Sequence, residues 1–153
     1  MKKKLLLISL LTIVLLVGCD LKKDSITSAD FNKVLRENQY TVTNSSKDYS
    51  RYSDIKEVFI GQNQNRTFQI EFYNFDSRDR AKIFYDTNVE AFEKVKDGAV
   101  STLEINGLNY HTFKKQTSNT YQVISCVNTT CLFANTKRDY KDDVNTILKI
   151  FNY

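Results

Sequence analysis

Cys126 and Cys131 are the two residues of this 153-residue chain whose type and spacing most directly offer chemistry. A two-residue turn at Asn128-Thr129 would place Cys126 directly opposite Cys131 in an antiparallel hairpin. The Cα atoms of such a non-hydrogen-bonded pair are about 4.5 Å apart, a distance that a disulfide tolerates. The spacing therefore predicts a structural disulfide, which fixes the hairpin register and stabilises the fold by about 2 kcal/mol.

A redox-active pair, a metal site and two reduced thiols are the alternatives for these cysteines. The spacing is C-x4-C rather than C-x-x-C, and no helix start follows that would stabilise a thiolate. A metal ion would need two further ligands, and His111 is the only histidine of the chain. The sequence thus predicts neither a metal nor a cofactor.

His111 is the residue best suited to general acid–base chemistry, but its sequence context favours a structural role. It falls in a predicted strand, on the same face as Asn109 and Phe113, and the chain has no G-x-S-x-G motif. The acidic pairs, Asp142 with Asp143 and Asp76 with Asp79, fall in the first turns of predicted helices, where carboxylates complement the helix dipole. No catalytic residue is therefore assigned.

Tyr49 and Tyr52 are the residues most typical of a recognition site. They lie in the polar segment Ser45–Ser53 together with Arg51, and this segment is predicted to be the most mobile loop of the chain. Aromatic side chains on such loops often contact protein or carbohydrate ligands. We interpret Tyr49, Arg51 and Tyr52 as possible ligand contacts, with the alternative that both tyrosines fold back onto the sheet edge.

The first nineteen residues form the clearest motif of the chain. Three lysines precede the nearly unbroken apolar run Leu5–Val17, which is too short to span a membrane as a helix, for which about 20 residues are needed. The run ends in Leu16-Val17-Gly18-Cys19, which resembles the lipobox of bacterial prolipoproteins. This resemblance implies removal of residues 1–18 and a diacylglyceryl group, with acyl chains of the palmitate type, on the sulfur of Cys19. The mature sequence resembles no family that we can name.

The lipobox resemblance also implies a location and a partner. The mature chain would be held by Cys19 at the extracytoplasmic face of the plasma membrane, with residues 19–25 as a short tether. The discarded signal holds three of the 22 basic residues and none of the 18 acidic ones, so the mature chain is close to neutral. That balance gives no basis for nucleic-acid binding. Lys22 and Lys23, beside the acyl chains, could still gain about 1 kcal/mol each from anionic headgroups.

The remaining residues, 26–153, are predicted to form a single α+β domain with a mainly antiparallel sheet. Thr27 and Asp30 form a capping box at the start of the first helix, and apolar residues recur at helical spacing in two later segments. Asn106-Gly107 is typical of a type I′ hairpin turn. The predicted order is α-β-β-β-α-β-β-β-β-α, with helices from about 27 to 38, 77 to 97 and 137 to 151, and strands at 40–44, 55–60, 67–72, 100–105, 109–114, 121–127 and 131–134.

These observations favour a non-catalytic lipoprotein that binds another envelope component, either a protein or an envelope polymer, at the membrane surface. The alternative is a small envelope hydrolase or thiol-redox enzyme that uses His111 or the Cys126/Cys131 pair. The sequence identifies neither the partner nor the oligomeric state.

Overall fold

The structure is a computed structural model that describes residues 21–98 and 101–153. It confirms the α+β class and the predicted order of three helices and seven strands. The proposed lipidation site, Cys19, lies outside the described residues. The helices are α1 (Ser28–Glu37), α2 (Arg78–Glu93) and α3 (Lys141–Ile150), and the strands are β1 (Thr41–Asn44), β2 (Ile55–Gln62), β3 (Gln69–Phe75), β4 (Ser101–Asn106), β5 (Tyr110–Gln116), β6 (Thr120–Val127) and β7 (Thr130–Lys137).

All seven strands belong to one antiparallel sheet with the order β1-β2-β3-β7-β6-β5-β4. The first three strands form a meander, and α2 then crosses to the far edge of the sheet. From that edge, β4 to β7 return strand by strand until β7 pairs with β3. The tight hairpins thus give local pairing, while the crossover through α2 closes the two halves into one sheet.

The helices cover both faces of the sheet. α1 and α3 pack on one face through Phe31, Leu35 and Leu148, while α2 packs on the other through Ala81, Tyr85 and Phe92 in the second apolar cluster. Strand β6 is buried on both faces from Tyr121 to Val127, which explains its nearly continuous apolar sequence.

The start of α1 follows the predicted capping box. The Asp30 backbone amide donates to Thr27 Oγ1 at 3.1 Å, and the Thr27 amide donates to Asp30 Oδ2 at 3.0 Å. The Thr27 hydroxyl also donates to Asp30 Oδ2 at 2.7 Å, and this bond, followed by the one from the Thr27 amide, holds the pKa of the Asp30 carboxyl below its usual value. Two amide groups that the first helical turn leaves without partners are thereby satisfied.

Lys115 holds the C-terminal end of α2 in place, and the sequence did not predict this role. Its side chain is buried, and its Nζ donates to the carbonyl oxygens of Phe92 at 2.7 Å and Val95 at 2.8 Å. A cation at this position satisfies carbonyls at the C-terminus of the helix and complements its dipole. Lys115 therefore fixes α2 against β5.

The predicted type I′ turn at Asn106-Gly107 is wrong. Asn106 pairs with His111, and the Gly107 amide donates to Tyr110 O at 2.9 Å, so Leu108 and Asn109 form the turn. Gly107 has no positive φ; instead, a Cβ atom there would lie 2.0 Å from Tyr110 Cε1. Glycine is therefore needed at position 107 to leave room for the Tyr110 ring, and not to give the backbone a turn conformation.

Several boundaries also differ from the prediction. α2 ends at Glu93, and α3 begins at Lys141 after the short 3-10 helix Arg138–Tyr140.

In the part of the chain that the structure describes, no helix combines the length and apolar character needed to cross a bilayer.

Candidate functional site

Both tyrosines of the predicted recognition segment line an apolar groove beside α2. The segment is ordered: Ser46–Tyr49 forms a 3-10 helix, and Ser46 Oγ accepts a hydrogen bond from the Val58 amide at 3.0 Å. It is therefore attached to β2 rather than a loose loop. The groove has a volume of about 310 Å³, and we call it the aromatic groove; its principal lining residues are Tyr49, Tyr52, Tyr73, Phe75, Ile83 and Phe84.

The floor of the aromatic groove is a cluster of packed rings. Tyr49 meets Tyr73 edge to face, with ring centroids 5.8 Å apart, and Phe84 lies 4.6 Å from Tyr73 and 5.1 Å from Phe75. The Tyr49 and Tyr73 hydroxyls are 3.3 Å apart. Rings fixed by so many neighbours lose little further entropy when they bind a ligand.

Tyr73, in the floor of the aromatic groove, is held in its neutral form. Its hydroxyl donates to the Glu71 carboxylate, which also accepts from Gln69 Nε2 at 2.7 Å. Burial, reinforced by the Glu71 charge, raises the pKa of Tyr73 far above its usual value. Tyr73 therefore stays neutral, and the groove presents carbon surface with Arg80 and Asp54 also in its lining.

Arg51, the third predicted contact residue, lies beside Tyr52 but outside the aromatic groove. Tyr52 is 44% exposed, and the Arg51 guanidinium lies 4.9 Å from the centroid of its ring. Arg51 does not line the aromatic groove; it lines a neighbouring cleft of about 330 Å³, to which Tyr49 and Tyr52 also contribute. The structure therefore brings all three predicted contact residues together in this cleft, and two of them, Tyr49 and Tyr52, also line the aromatic groove.

His111 lines a separate cleft of about 260 Å³ together with Arg78, Lys82 and Cys126. Its Nδ1 lies 2.7 Å from Asn106 Oδ1, and its ring packs against Tyr85 with centroids 5.4 Å apart. Burial, followed by the nearby Lys82 charge, holds the pKa of His111 below its ordinary value. The imidazole is therefore neutral near pH 7, and its hydrogen bond runs to an amide rather than to a nucleophile.

Cys126 and Cys131 pair as the spacing predicted. The two residues are opposite each other in the β6–β7 hairpin, and their sulfurs lie at the disulfide distance of 2.01 Å. The bond is buried beneath α2, since both sulfurs approach Ala81 O at 3.8 Å and the cysteines are 3% and 0% exposed. This position favours a structural bond over an exchangeable one.

Three of the four paired acidic residues lie in first helical turns as predicted, whereas Asp76 precedes Ser77, the N-cap of α2. Asp79 lies in the first turn of α2, and Asp142 and Asp143 lie in the first turn of α3. Within residues 21–98 and 101–153, no three histidine, cysteine or acidic side chains group closely enough to hold a metal ion.

A polar cavity of about 470 Å³ on the α2 face was missed by sequence reasoning. It opens where α2 leaves the sheet uncovered, and Gln69, Glu71 and Asn135 line it. Thr136 also lines it, and its buried hydroxyl has no hydrogen-bond partner. The alternation of Gln69 and Glu71 with apolar residues was the available signal, but it indicated a solvated face rather than a cavity.

Comparison with known proteins gives no relative from which a role for these sites could be transferred. No protein-family model, no curated protein and no solved structure matches the chain.

Proposed function

We propose that this chain is a lipid-anchored, non-catalytic binding module of the bacterial cell envelope, held by Cys19 at the extracytoplasmic face of the plasma membrane. The observation that carries the binding role is the aromatic groove. It holds exposed apolar side chains, Ile83 at 54% and Tyr52 at 44%, on a preformed floor of rings. Grooves of this composition are typical ligand sites.

The lining favours an apolar protein segment as the partner over a polysaccharide. A sugar needs several hydrogen-bonding groups around the ring on which it stacks, but the Tyr73 hydroxyl is already bonded to Glu71 and Tyr49. Arg51 covers a face of Tyr52. The groove therefore offers mainly carbon, which fits an aliphatic or aromatic side chain of a protein with Arg80 and Asp54 available to polar neighbours.

Site-specific photocrosslinking in living cells tests this proposal. A photoreactive amino acid replaces Tyr52, and the captured protein is compared in two further variants, Ile83→Asp and Ile150→Asp. Ile150 is the matched control because it is an isoleucine on α3, 47% exposed, whereas Ile83 lies in the groove on α2.

We expect one protein to be captured, with capture lost in Ile83→Asp and retained in Ile150→Asp. Equal capture in both variants would contradict the groove as the binding site. Capture of cell-wall polysaccharide that Ile83→Asp abolishes would replace the protein partner by an envelope polymer.

A hydrolase or thiol-redox enzyme is the second candidate, and the cleft shared by His111 and Cys126 is the observation in its favour. An enzyme should lose activity in His111→Ala or in Cys126→Ser/Cys131→Ser while its circular dichroism is unchanged. A binding module should tolerate the histidine change and lose some stability in the double serine variant.

A further inference from the structure

The first described residues are fastened to the domain rather than free. The Leu108 amide donates to Leu21 O at 2.9 Å. The Lys23 amide donates to Asn109 Oδ1 at 3.0 Å, and Asn109 Nδ2 donates to Lys23 O at 2.7 Å. Ser25 Oγ donates to Val127 O at 3.2 Å. Residues Leu21 to Ser25 of the expected tether thus lie against the β4–β5 and β6–β7 turns.

Two leucines protrude at the start of the described chain and at the turn that it contacts. Leu21 and Leu108 are each 63% exposed, the highest values among the large exposed apolar residues of the described chain. The hydrogen bond between their backbones holds them side by side, and Leu108 stands in the β4–β5 turn. Exposed apolar side chains grouped on a turn indicate a contact surface.

Cationic side chains flank these leucines. Lys22 is exposed between Leu21 and Lys23, and the Lys23 ammonium lies 4.7 Å from the centroid of the Tyr110 ring. The Arg78 guanidinium donates to Leu108 O at 3.2 Å. Asp24 and Asp79 are the acidic residues next to these cations in sequence, so the electrostatic attraction to an anionic surface is modest and the leucines supply the main contact.

We propose that this end of the domain docks on the anionic lipid surface of the membrane. Its residues, Leu21, Lys22, Lys23, Arg78 and Leu108, form what we call the docking surface. Leu21 and Leu108 enter the boundary between headgroups and acyl chains, and the cations contact lipid phosphates. The inference rests on the proposed anchor. Leu21 is two residues from Cys19, so its Cα atom lies within about 7 Å of the Cα atom of the residue proposed to carry the lipid.

Docking fixes the orientation of the domain, which an acyl anchor alone would leave free. The β4–β5 and β6–β7 turns face the lipid. The β2–β3 loop, which contains Asn65, lies at the opposite end of the strands. This opposite end gives a matched reference position for measurement.

Fluorescence quenching on the lipidated protein tests the orientation. The same environment-sensitive label is attached in Leu108→Cys or in Asn65→Cys, and each protein is reconstituted in vesicles of phosphatidylcholine and phosphatidylglycerol that carry a lipid-bound quencher. We expect quenching several-fold stronger at position 108 than at position 65. Adding Leu21→Asp or omitting phosphatidylglycerol should reduce the quenching at position 108.

The outcomes separate docking from anchoring. If the protein floats with the vesicles but quenching at position 108 is unchanged by Leu21→Asp and by omission of phosphatidylglycerol, the docking surface is refuted while the anchor stands. If the protein does not float with the vesicles, the anchor fails and docking fails with it.

Discussion

Breaking the disulfide between Cys126 and Cys131 should lower the free energy of unfolding by about 2 kcal/mol without disrupting the fold. The bridged residues are separated by 5 positions in sequence, and closing so short a loop removes little entropy from the unfolded chain. With a urea dependence of about 2 kcal/mol per M for a domain of this size, the unfolding midpoint should fall by about 1 M. The sheet should persist because β6 and β7 also pair with β5 and β3.

Urea unfolding with and without dithiothreitol, followed by circular dichroism on the chain from Asp20 onward, measures this difference. The bond is buried, so reductant acts once the domain has unfolded. The Cys126→Ala/Cys131→Ala variant is the control, since its midpoint should not respond to reductant. If reductant leaves the wild-type midpoint unchanged, the disulfide does not stabilise the domain as argued. If reduction abolishes the sheet signal without urea, the bond is required for the fold and does more than fix the β6–β7 register.

Three further changes probe the fold and its charges. Thr27→Ala removes the cap of α1 and should cost about 1 kcal/mol in thermal unfolding, whereas Thr27→Ser should retain the cap. Gly61→Ala places a Cβ atom 2.1 Å from Cδ1 of the fully buried Leu35, so it should destabilise the domain by about 1–3 kcal/mol in urea titrations; a wild-type midpoint would refute this overpacking. The folded state lowers the pKa of His111, so the unfolded chain protonates it first, and wild type should lose stability relative to His111→Gln as pH falls below about 6.5. Parallel pH profiles would contradict that assignment.

The sequence predicted the features that local signals determine. The Thr27 capping box and the Cys126–Cys131 register depend on residues close together in the chain, and both are confirmed. Strand β3 was predicted too short, because Tyr73 and Phe75 face α2 and therefore break the alternation seen in its first half.

The candidate site could be predicted only in part. Tyr49 and Tyr52 were identified from their segment, but their partners Tyr73 and Phe84 come from β3 and α2, which meet only in the folded sheet. The contact between Leu21 and Leu108 could not be predicted either, since the two residues are 87 positions apart and the contact is a backbone hydrogen bond. Long-range contacts of this kind leave no periodic signal.

The mass of the intact protein extracted from its native membranes tests the central claim most directly, because anchoring through Cys19 underlies both the proposed function and the docking surface. We predict a chain that begins at Cys19 and carries the added mass of a diacylglyceryl group, with a further mass decrease of about two hydrogens for the Cys126–Cys131 bond. A chain that begins at another residue, or one that begins at Cys19 without lipid mass, would contradict the lipid anchor.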